Sequence, residues 1–452
     1  SWKFNSCSPG KTLIKNIFKL KPGTNLLFSD GKIKITQFQR LHPEKWFDYF
    51  SRSPSISEVN KKFEDIFYKE VDLRLPKEVN YFTALSGGID SSLLAFFVSK
   101  FKTKVQTIFG VSSKTQEERK YGYSELESSY LIAKKLNLKH SHIDLITPEC
   151  IKDINYSASH AFDGCIDPGV DNFAGLSTHL NKNNYKVMLF SDGVDEFLGG
   201  YQSDIEANKI DKIMGPDKPF KFLKYLTKTN FGKKILTSFL NLEKNKEFEF
   251  SYTPFYSRVN HSVCPNLFLK KIIQNYDANK KYDFGLVDPI YDKIITDMDY
   301  SQIRALNYAS KTIPDMYNLR LDKAFMRHSV EVRLPFQSIE VAEMFIAMPN
   351  RYRFKNNFGK YFLRNYMAEN VDQTISKRPK EGMGEYLWSD KEIYKNLNFE
   401  EEIRNTDFFE NFPFKKNTKE ILLKKNTHPG NLWAAYCFIK TYENLKDINK
   451  SK

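Results

Sequence analysis

Residues 82–97 read FTALSGGIDSSLLAFF: an apolar run, two adjacent glycines, an aspartate, a pair of serines and a second apolar run. A short buried strand, a glycine turn and a helix in that order form the repeating unit of a parallel sheet. Outward from this stretch the same alternation continues. VNYFTAL (79–85), KVQTIFGVS (104–112), HSHIDLI (140–146) and YKVMLFSDG (185–193) read as strands. Between them, SSLLAFFVSKF (91–101), SELESSYLIAKKL (124–136) and NFAGLSTHLNK (172–182) read as helices. Ser91 or Ser92 is expected near the N-cap of the first helix, and Ser124 with Glu127 forms a capping box on the second. The expected fold is therefore α/β, a parallel twisted sheet with helices on both faces.

Before this core, residues 1–45 carry two short alternating runs around Pro22-Gly23 and Asp30-Gly31, the signature of a small β element. VNKKFEDIFYKEVDLRL (59–75) places Val59, Phe63, Ile66, Phe67 and Val71 on one helical face. After Tyr201 the chain turns helical and lysine-rich to about residue 310. Residues 311–452 continue helical and end on NLWAAYCFIKTYENL (431–445). The expected organisation is residues 1–45 as one part and 46–452 as another. The second divides into a nucleotide-binding core (58–201), a helical insertion (202–310) and a helical substrate-site part (311–452).

The net charge of +14 admits an anionic partner, but the 69 lysines and arginines are scattered. Without a basic stripe interleaved with aromatics, nucleic acid is disfavoured. Five cysteines, Cys7, Cys150, Cys165, Cys264 and Cys437, make no C-x-x-C pair and suit free thiols in a reducing cytoplasm. His140 and His142 fall on one face of a strand, with no cluster to make them metal ligands. No apolar run reaches membrane-spanning length, so no membrane partner is expected.

Two loops at strand ends look chemical rather than structural. In SGGIDSS (86–92), glycines free the backbone N–H groups to converge on an oxyanion, serines add hydroxyls, and the next helix points its positive end there. The spacing and lysine of a Walker loop are missing. In FSDGVDEFLGGY (190–201), Asp192, Asp195 and Glu196 crowd beside glycines. Carboxylates beside a phosphate-type loop suggest a bridging Mg²⁺, because a hard dication takes carboxylate and phosphate oxygens together.

SGGIDSS matches the S-G-G-x-D-S signature of the ATP pyrophosphatases, and the remaining motifs resemble those of asparagine synthetases and their relatives. FSDGVDEFLGGY is similar to that family's S-G-E-G-x-D-E-L-F-G-G-Y. LRLDKAFMRHSVEVRLPF (319–336) is similar to its D-x-x-x-M-x-x-S-x-E-x-R-x-P-F. GKYFLRNYM (359–367) and ISKRPKEGM (375–383) are similar to its K-x-x-L-R and R-x-K-x-G-F. KTLIKNIFKLKPGTNLLF (11–28) looks like the end of the family's glutaminase domain, so residues 1–45 are expected to be the C-terminal remnant of that β domain.

The resemblance implies an adenine-nucleotide α-hydrolase-like fold and an ATP-dependent, amide-forming ligase. A carboxylate, aspartate by default, would be adenylated with release of pyrophosphate, and ammonia or another amine would displace AMP. It implies that Ser86, Gly87, Gly88, Asp90 and Ser91 hold pyrophosphate, and that Asp90 and Asp195 bind Mg²⁺. Leu85, Phe109 and Val111 would line the adenine site, with Phe190 and Ser191 beside it. Asp192 would lie against the acyl-adenylate, and Lys380 would neutralise charge in the reaction. Glu331 and Arg333 are read as a buried ion pair that shapes the pocket, and Asp322 likewise as structural.

Asp192 stands where asparagine synthetases have Glu, Phe190-Ser191 where they have Ser-Gly, and Gln337-Ser338 where they have Leu-Asp. Those departures keep other amide-forming relatives open, of lasso-peptide-cyclase or β-lactam-synthetase type, and less favourably a tRNA-modifying pyrophosphatase. A glutaminase domain or subunit as ammonia source and a homodimer as assembly are left open.

Overall fold

The structure, a computed structural model, describes residue 7 and residues 10–101, 105–111, 124–145, 148–167, 169–214, 269, 271–275, 289–379, 397–425 and 427–450. Five strands form one parallel sheet in the order β5-β4-β3-β6-β7. They are β3 (Tyr81–Ala84), β4 (Gln106–Val111), β5 (Lys139–Asp144), β6 (Val187–Leu189) and β7 (Glu331–Arg333). The first four are those expected from the alternation; the three-residue β7 was not anticipated. A separate antiparallel ribbon pairs β1 (Thr24–Ser29) with β2 (Lys32–Gln37) across the Asp30-Gly31 turn.

Period-2 alternation decides which face each side chain serves. On β3 and β6, Tyr81, Val187 and Leu189 enter one core cluster, while Phe82, Met188 and Phe190 enter another. The sheet is thus buried on both faces, which accounts for strands that read as unbroken apolar runs. On the first face, α1 (Ile56–Arg74) contributes Val59, Phe63, Ile66, Phe67 and Val71, the face its spacing predicted. Ser55 and Glu58 close it with a capping box, as Ser124 and Glu127 close α3 (Glu125–Lys135). On the second face, α5 (Gly169–Lys182) and α9 (Asn318–Met326) cover the sheet with Phe173, Leu176, Leu180, Leu321 and Phe325.

The helix after β3, α2 (Ile89–Ser99), starts two residues before the expected run, with Gly88 as its N-cap and Ser91 and Ser92 close to that end. Ser91 is turned back, its hydroxyl donating to the Gly88 carbonyl. The last helix, α12 (Pro429–Lys450), follows the C-terminal apolar pattern. A third cluster joins its Trp433, Tyr436 and Ile439 to Ile154 and Ala158 of α4 (Pro148–Ser159), a helix not anticipated. Much of the expected helical insertion, including FKFLKYL at 220–226, lies outside the described residues. No helix among the described residues is long and apolar enough to cross a membrane.

Candidate active site

From β3 the chain proceeds to β4 and β5 on one side, then returns to β6 and β7 on the other. The carboxyl ends of β3 and β6 therefore flank the topological switch point, where open parallel sheets bind ligands. SGGIDSS leaves β3 and FSDGVDEFLGGY leaves β6, so both sequence-identified loops open onto one crevice.

In the first loop, the Ser86 and Ser91 hydroxyls lie 3.1 Å apart, and the Ser86 N–H donates to Ser91 Oγ at 3.2 Å. Gly87 has φ +74°, and a Cβ there would come within 2.5 Å of Ser128 on α3. Only glycine satisfies both the left-handed turn and the close helix. The first turn of α2 carries Asp90, where the helix dipole favours negative charge.

In the second loop, Asp195 lies in the first turn of the short helix α6 (Val194–Leu198), shortly after β6. The two aspartates meet at a residue to which the sequence reading gave no role. Lys360 Nζ lies 2.8 Å from Asp90 Oδ2 and 2.7 Å from Asp195 Oδ1, and its side chain is only 4% exposed. Lys360 caps α11 (Tyr361–Asn370) with φ +57°, a left-handed conformation uncommon for a side chain of its size. Its N–H bonds the Leu198 carbonyl. Gly359 makes that approach feasible, since a Cβ on it would sit inside the Gly199 carbonyl oxygen. The only sequence signal was the K-x-x-L-R spacing.

Arg364, one turn along α11, donates to the carbonyls of Gly359, Ser376 and Arg378. Arg378 in turn bonds Ser128, the residue packed against Gly87. The chain leading towards Lys380 is thereby tied to both the pyrophosphate-type loop and the Lys360 corner. Lys380 itself lies outside the described residues.

Asp192 faces a separate cation. Arg320 on α9 reaches Asp192 at 3.0 Å and Asp167 at 3.5 Å, and stacks over Tyr317. Burial alone would favour the neutral guanidine, but Asp167 and then Asp192 outweigh it and keep the group firmly charged. Tyr317 ends a π-helical stretch (Tyr308–Tyr317), a distortion frequent at functional sites. Gln337, one of the departures noted in the sequence, donates to the Asp192 carbonyl at 3.3 Å.

Around the expected adenine site, Leu85 and Val111 are buried at the strand ends and Phe109 is half-buried. Phe190 turns its ring into the second-face core against Phe173 and Phe325. At that position the backbone, with Ser191, is what the crevice can meet. Glu331 and Arg333 do pair, at 2.9 Å, but on the exposed edge strand rather than in a buried pocket. Their i,i+2 spacing puts both on one face of β7, and the Glu331 side chain is 58% exposed. Partial burial, reinforced by Asp163, raises the pKa of Asp322.

His140 has both ring nitrogens engaged, by the Thr107 and Ser129 hydroxyls, and burial lowers its pKa to about 4. Among the described residues no group of three or more His, Cys, Asp or Glu forms a metal cluster. Burial pushes the Cys165 thiol up to about 12, which makes it a packing residue rather than a nucleophile.

Glu196 is buried beside the aspartates and accepts a hydrogen bond from Tyr201. Burial, reinforced by Asp195, raises its pKa to about 7, although the Tyr201 bond pulls the other way. Between the unfolded carboxyl range and pH 7, the folded chain therefore holds a proton that the unfolded chain releases. Stability from this group is full at low pH and is lost as pH rises through about 7. Relative to wild type, Glu196→Gln should gain on the order of 2 kcal/mol between pH 5 and pH 8, measured by urea denaturation at both.

The profile of the Asparagine synthase family matches residues 62–413. The glutamine-hydrolysing asparagine synthetase 1 of Bacillus subtilis is 23% identical over 381 residues, covering 82% of this chain and 56% of its own length. The putative glutamine-hydrolysing asparagine synthetase 2 of Methanocaldococcus jannaschii is 24% identical over 243 residues, covering 52% and 43%. The chain thus spans about half the length of the curated relatives it matches. The solved NH3-dependent NAD synthetase from Campylobacter jejuni aligns with 33% of this chain and 61% of its own at 20% identity and TM-score 0.23, too small an overlap to bear on function. With both strand-end loops, the 319–336 segment and the Lys360 corner inside the matched span, the chain belongs to the asparagine synthase family.

Proposed function

We propose that this chain is an ATP-dependent amide-forming ligase of asparagine-synthetase type. A carboxylate oxygen of the substrate attacks the α-phosphorus of ATP, the bond to the β-phosphate bridging oxygen breaks, and pyrophosphate leaves. The nitrogen of ammonia or another amine then attacks the acyl carbon, the bond to AMP breaks, and the nitrogen loses a proton. Activation is needed because a bare carboxylate is a poor electrophile, whereas AMP is a good leaving group.

The observation that carries this reading is the convergence of Asp90 and Asp195, from neighbouring strand ends, on one buried cation position. Hard carboxylate oxygens collected around a positive charge, beside a loop of N–H and hydroxyl donors, suit Mg²⁺ with a polyphosphate. When bound, Mg²⁺ would neutralise charge on the departing pyrophosphate. Ser86, Gly87, Gly88 and Ser91 would hold the phosphate oxygens, with Leu85, Phe109, Val111 and the backbone at Phe190 and Ser191 towards adenine. Lys380 would balance charge on the reacting phosphate and the tetrahedral intermediate. Asp192 would lie against the acyl group and help orient the amine.

Aspartate is the default acid and ammonia the default amine, supplied free or by a glutaminase unit. A second reading, amidation of a different carboxylate, is favoured by one observation: Asp192 is shorter than the family's usual Glu and is tethered by Arg320 and Gln337. Pyrophosphate release measured across a panel of carboxylic acids with ammonia tests both. Release with aspartate and formation of asparagine supports the first, release only with other acids supports the second, and no release with any acid overturns the ligase reading.

A further inference from the structure

Two carboxylates turned towards one point repel each other, and removing them from water makes that repulsion costly unless a cation is present. Here the cation is Lys360, at 2.8 and 2.7 Å from Asp90 and Asp195. Its backbone cannot withdraw. The Lys360 N–H is bonded to Leu198, its carbonyl accepts from Arg364, and Gly359 is pressed against Gly199. Only the side chain beyond the Cα is free to swing, and the ammonium needs acceptors wherever it goes.

We propose that Lys360 is a resident counter-ion that keeps Mg²⁺ out of the Asp90–Asp195 pair until a nucleotide arrives. Phosphate oxygens give the ammonium new acceptors, the two aspartates are released to the metal, and metal and nucleotide enter as a coupled pair. This rests on the proposed use of Asp90 and Asp195 as metal ligands. Mg²⁺ dehydrates reluctantly, so exchanging its water shell for two carboxylates already satisfied by a buried ammonium gains little. Exchange in the presence of a polyphosphate leaves no buried charge unpaired, because ammonium, dication, carboxylates and phosphates all find partners. Coupling between the two ligands then has a physical source and must be reciprocal.

The test uses Mn²⁺ as the probe ion, followed by electron paramagnetic resonance, on wild type, Lys360→Met and Lys360→Arg, with and without α,β-methylene-ATP. Neither acid nor amine is present, so the result does not depend on turnover. Wild type should bind Mn²⁺ at least about tenfold more tightly with the nucleotide analogue than without it, within the usual range of coupling between sites. Lys360→Met, similar in length and uncharged, should bind Mn²⁺ alone at least about tenfold more tightly than wild type and show less dependence on the analogue. Lys360→Arg, which keeps the charge, should bind Mn²⁺ alone no more tightly than wild type.

Equal Mn²⁺ affinity in wild type with and without the analogue overturns the proposal, whether or not the Met variant folds. A folded Lys360→Met that binds Mn²⁺ no better than wild type overturns it as well. Failure of every carboxylic acid to release pyrophosphate would instead overturn the ligase reading and leave these affinities as measured.

Discussion

Asp195→Asn is expected to lower carboxylate-dependent pyrophosphate release by about 10³-fold, the scale seen when one electrostatic group is removed from a preorganised site. The substitution keeps the shape of the side chain and an oxygen that Lys360 Nζ can still reach. It removes the charge that the proposed function assigns to holding a metal beside a departing pyrophosphate. Stability should change by only about 1 kcal/mol, the typical net worth of an altered hydrogen bond. Release assayed beside a thermal melt separates the two effects: a variant that melts like wild type yet turns over normally would remove Asp195 from the metal site. Asp90→Asn is expected to behave in parallel, because both carboxylates serve the same cation position.

Gly359→Ala should act through the backbone instead. Its new methyl group would collide with the Gly199 carbonyl, a main-chain atom that cannot rotate away. Either α11 retreats or the Gly199–Gly200 turn yields, and overpacking of this kind costs about 3 kcal/mol. Since Lys360 is the next residue, the same displacement draws the ammonium from the aspartates. Urea denaturation should show the loss of stability, and pyrophosphate release should fall together with it. An alanine variant as stable and active as wild type would mean that the close approach between 199 and 359 is dispensable.

The sheet was legible because a strand buried on both faces must be apolar at every position, and Tyr81 to Leu85 and Val187 to Phe190 are nearly so. The two loops were legible because glycines and carboxylates crowded together directly after such strands have few structural uses. Strand β7 escaped notice since three residues, Glu331 to Arg333, carry no periodicity. Lys360 escaped for another reason: among 69 basic residues only the K-x-x-L-R spacing sets it apart, and that spacing does not tell a buried lysine from a solvated one. Its role depends on Gly199 and Gly359 meeting, a contact between segments far apart in the chain. The start of α2 was legible to within two residues, since Ser91 lies near the Gly88 cap, to whose carbonyl its hydroxyl donates. Phe190 followed the strand's alternation into the core, which the neighbouring ligand-type motif obscured.

Strands β3 and β6 are neighbours in the sheet, yet β4 and β5 lie between them in the chain. A folding chain can therefore assemble β3, β4 and β5 by short-range closures and still possess only half of the cation site. The other half arrives with β6, and Lys360 later still, each after a longer loop closure. Asp90, Asp195 and Lys360 thus stand together only once strands on both sides of β3 are paired.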